Sequence, residues 1–156
     1  MQVILNKKEY NYIWDRIYSE YRFDQSREDW LSLPLLNKKY HISDIWTEEQ
    51  EKTVNDIFKK VCSIKMYALD WQHDCFIFAP DEDIPLYHWY YDKDRDCNVY
   101  FPSYYPDGDY HFFISLDWSF GLFGHPWKNE IYVMGNELIK EFEKLKAQLN
   151  IAERVW

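Results

Sequence analysis

Glycine and cysteine are both scarce in this chain of 156 residues, which contains four glycines and three cysteines. Gly121 and Gly124 do not lie in a phosphate-loop pattern, so they predict tight turns or close packing and not a nucleotide site. The cysteines are odd in number and include no C-x-x-C pair. A disulfide framework is therefore not expected, and a reducing compartment is favoured.

Long apolar runs and an excess of basic residues are also missing. No run approaches the length of a transmembrane helix, and residues 1–8 lack the apolar stretch of a signal peptide. We therefore expect a cytoplasmic protein with no membrane partner. The formal net charge of −9 argues against unaided binding of nucleic acid, because phosphate contacts need clustered Lys and Arg.

Aromatic side chains are abundant. They make up 21% of the residues, within a hydrophobic fraction of 47%. This composition predicts a packed core and argues against a disordered acidic chain, which would be poor in aromatics. The length is typical of one domain, so we expect residues 1–156 to fold together.

Helical spacing of apolar residues recurs along both flanks of the chain. Asn6 with Glu9 resembles a capping box, and Thr47 with Gln50 is a clearer one. Residues 35–46 fit neither helix nor strand clearly. The predicted helices are residues 7–21, 48–62 and 136–149, with a further short helix from Ser26 to Pro34.

The middle of the chain reads as short strands separated by turns. Pro80 and Pro126 are expected to end strands, and Asp107-Gly108 predicts a tight turn. We therefore predict an α+β domain with a mainly antiparallel sheet over about residues 64–134, flanked by N-terminal helices and a C-terminal helix. The predicted strands are residues 64–71, 75–78, 86–91, 110–116, 118–123 and 130–134.

Residues 66–127 carry the whole charge imbalance. They hold eleven Asp or Glu against two basic residues, a net charge of −9, together with nineteen aromatics. The acidic clusters fall at predicted turns, where carboxylates would project into water and attract a basic partner. Tyr and Trp are common at binding hot spots. The predicted partner-binding residues are Asp81, Glu82, Asp83, Trp89, Tyr91, Asp92, Asp94 and Asp96.

A small polar site on the sheet is the alternative. Strand alternation would place Asp109 and His111 on one face, and a carboxylate beside an imidazole suits a general base or a metal ligand. His125, predicted in a turn, is the third candidate for convergence. If the protein is an enzyme, these three residues are the predicted catalytic group, with Asp70 and His73 as further candidates.

Two metal-binding patterns are incomplete. Residues 92–96 have the Asp-x-Asp-x-Asp spacing of a calcium loop, but Cys97 stands where that loop needs glycine. His73 and Cys75 lack the paired spacing of a zinc site. We therefore expect no metal and no cofactor, and a solvated hairpin tip at residues 92–96.

A set of short aromatic and polar segments forms a recognisable pattern. The segments are Tyr67-Ala68-Leu69-Asp70-Trp71-Gln72-His73-Asp74-Cys75, Phe101-Pro102, Pro106-Asp107-Gly108-Asp109-Tyr110, Phe120-Gly121 and Phe123-Gly124-His125-Pro126-Trp127. Together they resemble the bacterial family known as domain of unknown function 2716, over about residues 64–140. The resemblance implies a bacterial, cytoplasmic protein and no particular activity.

Two functional hypotheses follow. The first is a non-enzymatic, acidic protein-binding module; by analogy with small acidic immunity proteins, its partner would be a basic, nuclease-like toxin domain. The second is a small enzyme or ligand-binding domain that uses the His/Asp site. Because no nucleophile and base occur at a recognisable spacing, we favour a protein that is not an enzyme. A third alternative is a homodimer that buries the aromatic patch.

Overall fold

The structure, a computed structural model, describes residues 1–24, 26, 32–86 and 88–153. Most of the short helix predicted from Ser26 to Pro34 lies outside these residues. The helices are α1 (Lys7–Glu20), α2 (Glu48–Val61) and α3 (Asn136–Leu145). The strands are β1 (Gln2–Val3), β2 (Asn37–Ile42), β3 (Met66–Asp70), β4 (Phe76–Phe78), β5 (Trp89–Asp92), β6 (Cys97–Tyr100), β7 (His111–Ser115), β8 (Gly121–His125), β9 (Glu130–Met134) and β10 (Ile151–Ala152).

The main sheet is antiparallel and has the strand order β1-β4-β3-β7-β8-β9-β2-β10. Strands β5 and β6 form a separate two-stranded hairpin. The predicted α+β class with a mainly antiparallel sheet is confirmed. The predicted limits of the sheet are too narrow, because β1, β2 and β10 come from outside residues 64–134.

The central strands β3, β7 and β8 are buried along their whole length. Helix α1 packs on one face of the sheet, where Trp14 and Ile17 join a core with Phe112. Helices α2 and α3 share a core on the other face, which includes Phe113 and Phe142. Burial on both faces explains why the middle of β7, Phe112-Phe113-Ile114, is apolar at every position and does not alternate.

The predicted helix starts are confirmed. The Asn6 side chain accepts hydrogen bonds from the amides of Lys8 and Glu9, and Thr47 and Gln50 form a reciprocal capping box. Helix α3 ends earlier than predicted. After it the chain turns through Asn150, whose φ is +51°, and enters β10.

Residues 35–46, which fit no element clearly from sequence, contain strand β2. This strand pairs with β9 on one side and β10 on the other. Tyr40, Ile42 and Trp46 are buried. Their burial depends on the partner strands and on α3, which lie more than eighty residues away along the chain.

Within the described ranges, none of the helices is both long and apolar enough to cross a membrane.

Candidate functional site

Strands β3 and β7 bring two ionisable residues together at one end of the sheet. Asp70, the last residue of β3, is paired directly with His111, the first residue of β7. Paired residues on neighbouring strands point to the same face, and this face is the one that α2 and α3 cover. Both residues are buried, and His111 Nε2 lies 3.3 Å from Asp70 Oδ2.

Two more residues join this pair from neighbouring loops. His73 Nδ1 lies 2.9 Å from Asp70 Oδ1 and 3.4 Å from Asp109 Oδ2. The Gln72 amide donates to both carboxyl groups, at 3.2 Å to Asp70 and 3.0 Å to Asp109. We call Asp70, His73, Asp109 and His111 the Asp/His cluster.

The loop that leads into β7 is held by a buried charge. Glu51, in the first turn of α2, is fully buried and accepts hydrogen bonds from the amides of Tyr104 (2.8 Å) and Tyr105 (2.7 Å). In the same loop the Ser103 carbonyl lies 2.8 Å from His111 Nδ1. Since a carbonyl can only accept, Nδ1 carries the proton and the loop sets the orientation of the imidazole ring.

A glycine on β8 allows the loop to lie close to the sheet. A Cβ atom at Gly124 would stand 2.8 Å from Cβ of Pro106, closer than real side chains approach each other. Gly124 is the strand partner of His111, so the glycine lets Pro106 pack directly beside the cluster.

A cavity of about 510 Å³ opens over the cluster. Its floor is polar and its walls come from the β5–β6 hairpin and the loop before β7. Besides the cluster, the lining residues are Asp74, Trp89, Asn98, Val99, Tyr100, Pro102, Ser103, Asp107 and Gly108.

Arg95 fixes the hairpin against this cavity. Its guanidinium donates to both oxygens of Asp74, at 3.0 and 3.1 Å, and its Nε donates to Asp92 Oδ2 at 2.6 Å. Bidentate arginine–carboxylate contacts have strict geometry, so they set the orientation of the hairpin as well as its position. The hydrogen bond from Arg95 also lowers the pKa of Asp92.

The cluster concentrates negative charge in a buried place. Burial raises the pKa of Asp109 to about 6, and the neighbouring Asp70 acts in the same direction. Burial opposes ionisation of Asp70 too, but hydrogen bonds with His111 and Asp109 outweigh it and hold the pKa of Asp70 well below its usual range. The hydrogen bond to Asp70 raises the pKa of His73. A cation or a hydrogen-bond donor in the cavity would reduce the repulsion between the Asp70 and Asp109 carboxylates.

His125 does not join the cluster. It lies on strand β8 and not in a turn, because the strand continues up to Pro126. Its neighbour Gly124 is the residue paired with His111, so the side chain of His125 points to the opposite face. There its ring contacts Tyr110, with centroids 5.2 Å apart, and burial lowers its pKa. The predicted convergence of His125 with Asp109 and His111 is therefore wrong.

The sequence matches a family model described as "Protein of unknown function (DUF2716)" over residues 4–139. The chain belongs to this family. The match includes every residue of the Asp/His cluster and the hairpin beside it. The chain is also 44% identical over 78 residues to the uncharacterized protein YxiI of Bacillus subtilis (strain 168). That alignment covers 50% of this chain and 43% of YxiI, and no solved structure matches the chain.

The predicted partner-binding residues belong to two segments of the chain. Asp81, Glu82 and Asp83 are exposed and lie just after the carboxyl end of β4, where Phe78 pairs with Met66. The hairpin is tied instead to Asp74, which precedes β4 at its other end. Glu82 also forms an ion pair with the amino group of Met1.

On the hairpin itself the predicted residues differ in exposure. Trp89 is 68% exposed and Tyr91 49%, and Asp94 and Asp96 lie exposed in the turn between the strands. The Tyr91 hydroxyl donates to Asp96. Asp92 is buried and bound by Arg95, so the expectation that its carboxylate projects into water is wrong.

Sequence reasoning named every member of the cluster, but it treated Asp70 and His73 as secondary. It missed Glu51, Ser103 and Arg95, which position the loop and the hairpin around the cavity. A usable signal existed for Asp70, which is a charged residue at the end of an otherwise apolar strand. The roles of Glu51 and Ser103 depend on contacts between distant segments and leave no local pattern.

Proposed function

We propose that this protein binds a small organic molecule in the cavity above the Asp/His cluster. The supporting observation is that two buried carboxyl groups, Asp70 and Asp109, lie beside two imidazoles on the floor of a cavity of about 510 Å³. A concave site with mostly apolar walls and a few convergent polar groups is typical of ligand pockets.

The lining indicates the chemistry of the ligand. The carboxylates accept hydrogen bonds, so hydroxyl or amino groups should face the floor. Trp89 and Tyr100 form an edge-to-face aromatic pair, with centroids 5.4 Å apart, on the hairpin side. A flat or apolar part of the ligand would pack against these rings. The favoured class is therefore a small molecule with both features, such as a nucleoside, a sugar or an aromatic amine.

Ligand-observed NMR with mixtures of nucleosides, monosaccharides and amines tests this proposal. We expect at least one class to bind the wild type and to bind Trp89→Ala about 10-fold more weakly, because the aromatic wall is lost. Trp127→Ala is the matched control, since Trp127 is 73% exposed and does not line the cavity. Absence of binding in all three classes, or equal losses in the two variants, would contradict the proposal.

The hairpin supports a second candidate function, the binding of a basic protein. Trp89, Tyr90 and Tyr91 are exposed beside Asp94 and Asp96, which combines aromatic anchors with carboxylates. A basic toxin domain, neutralised by this chain as an immunity protein, is the partner that we propose for this surface.

Asp94→Asn with Asp96→Asn tests the partner hypothesis, because both carboxylates are exposed and neither change removes the Arg95 contacts. A basic protein captured from the source cells should associate more slowly with the double variant, and the difference should shrink as salt rises. Asp81→Asn with Asp83→Asn, at the acidic turn after β4, is the control. Unchanged association rates in both double variants would refute binding through the hairpin.

A further inference from the structure

We infer that Asp70, His73 and Asp109 of the Asp/His cluster bind a divalent transition-metal ion, with His111 as the residue that positions Asp70. The inference rests on the proposed role of the cavity as a ligand site, and it identifies a metal ion as one component that the site binds. It departs from the expectation of no metal that the sequence suggested.

The geometry of the three ligands suits one ion. One donor atom from each of Asp70, His73 and Asp109 lies within 4.8 Å of the others. Zinc ligands stand about 2.0–2.2 Å from the metal, which places neighbouring donor atoms roughly 3 to 3.5 Å apart. The separations of His73 Nδ1 from the two carboxylates, 2.9 and 3.4 Å, are already of this size.

The surroundings hold the donor atoms in place. His111 donates from Nδ1 to the Ser103 carbonyl, and its Nε2 faces Asp70 Oδ2 at 3.3 Å. Carboxylate ligands of metals are commonly held by an outer hydrogen-bond partner of this kind. The backbone amide of Gln72 donates to Asp70 and to Asp109, and so it fixes the orientation of both carboxylates.

The charge balance favours a cation. In the part of the chain that the structure describes, the basic groups that contact Asp70 and Asp109 are the imidazoles of His73 and His111, and no Lys or Arg does so. Arg95, the guanidinium of the nearby hairpin, contacts Asp74 and Asp92 instead. A metal ion bound by the neutral His73 ring would supply positive charge in place of the imidazole proton, and its remaining coordination positions would open to the cavity.

The donor set indicates which ions fit. One imidazole with two carboxylates suits Zn²⁺, Mn²⁺ or Fe²⁺, whereas Ca²⁺ and Mg²⁺ prefer oxygen ligands alone. The sequence shows no metal motif because the ligands come from the end of β3, the turn after it and the loop just before β7. Only folding brings these three segments together.

Isothermal titration calorimetry of the full chain, stripped with EDTA, tests the inference with Mn²⁺ and Zn²⁺. Mn²⁺ is the deciding probe, because the three free cysteines could bind Zn²⁺ but thiolates bind Mn²⁺ poorly. We expect one Mn²⁺ per chain. His73→Ala should weaken binding at least about 10-fold, the usual effect of losing a group that a metal site depends on.

His88→Ala is the matched control, since His88 is an exposed histidine outside the cluster. The His73 side chain is itself 67% exposed, so its removal should leave the fold intact, which circular dichroism verifies. Asp109→Asn provides the second ligand variant. Failure of the wild type to bind Mn²⁺, or equal Mn²⁺ affinity in wild type and His73→Ala, overturns the inference.

The calorimetry tests the metal site and the NMR screen tests the organic ligand, so a negative result in one does not decide the other. The metal titration contains no organic ligand, and the screen is run in EDTA as well as with the diamagnetic ion Zn²⁺. Organic binding in EDTA without any Mn²⁺ binding would overturn the metal inference and leave the proposed function standing. Mn²⁺ binding without any organic ligand, in either condition, would support the metal site and contradict the proposed function.

Discussion

Glu51 is the buried charge that connects helix α2 to the wall of the cavity. One of its oxygens accepts from the Tyr104 amide and the other from the Tyr105 amide. Hydrogen bonds to a carboxylate are stronger than neutral ones, and a buried amide without an acceptor is costly. This single side chain therefore determines where Ser103, and with it the His111 ring, can lie.

We expect Glu51→Gln to destabilise the protein by about 1–3 kcal/mol, because the new amide group faces a backbone N–H that it cannot satisfy. Urea unfolding measures the change. Glu49→Gln is the matched control, since Glu49 is exposed in the same helical turn and loses the same charge near the helix dipole. Similar losses in the two variants would show that the helix dipole, and not the buried contact, accounts for the effect.

Glu143 makes the stability of the folded protein vary with pH in the acidic range. Lys38 and Tyr40 contact its carboxylate and lower its pKa from 4.5 to about 2. A carboxyl group with a lowered pKa in the folded state stabilises fully above its unfolded pKa, and this contribution is lost as pH falls towards the folded value.

The difference in melting temperature between wild type and Glu143→Gln should therefore be largest above pH 4.5 and shrink towards pH 2. Thermal unfolding followed by circular dichroism measures it. Glu137→Gln is the control, because the Glu137 side chain is 73% exposed in the same helix. A difference that stays constant over this pH range would argue against the Lys38 and Tyr40 contacts.

At the scale of elements, the β5–β6 hairpin is a separate unit attached to the body of the protein. Among the described residues it pairs with no strand of the main sheet, and Arg95 ties it to Asp74 by two hydrogen bonds. Trp89 and Tyr100, which form the aromatic wall of the cavity, are therefore positioned through this contact.

Arg95→Ala should release the hairpin. We expect faster hydrogen exchange of amides in residues 89–100 and unchanged protection in β3 and β7, because the main sheet makes no use of Arg95. Lys93→Ala, an exposed change in the same turn, should leave the exchange pattern as in the wild type. Unaltered exchange in Arg95→Ala would mean that apolar contacts of Val99 and Tyr100 hold the hairpin alone.

Elements with strong local signals were predictable. The caps at Asn6 and Thr47 mark the starts of α1 and α2, and β9 has the predicted bounds. Strand β2 was not predictable, because Asn37-Lys38-Lys39 is polar and its extended form depends on β9 and β10. The pattern Gly124-His125-Pro126 favoured a turn, but pairing with β9 extends β8 through His125.

At the scale of the whole molecule, the two faces of the main sheet contribute to two separate hydrophobic cores. Phe112 and Phe113 are neighbours on β7, both fully buried, and they face α1 and the α2/α3 layer respectively. Because every central strand contributes to both cores, neither face can lose its packing without affecting the other.

We therefore expect the described body of the protein to unfold in one cooperative transition. Phe112→Ala and Phe113→Ala should each lower its stability by about 3–5 kcal/mol without splitting the transition. Urea unfolding followed by both tryptophan fluorescence and far-ultraviolet circular dichroism tests this. If Phe112→Ala produced an early, separate transition, α1 would be an independent layer.

The sequence alone determined the α+β class, the two capped helix starts, most of the central strands and the net charge of −9 in residues 66–127. These features depend on residue type and on spacings of a few positions. Only the tertiary structure decided that Asp70 meets His111, that His125 faces away from them, and that Arg95 holds the hairpin over the cavity. The physical reason is that strand register and the choice of face depend on burial against segments far away in the chain, which local spacing does not encode.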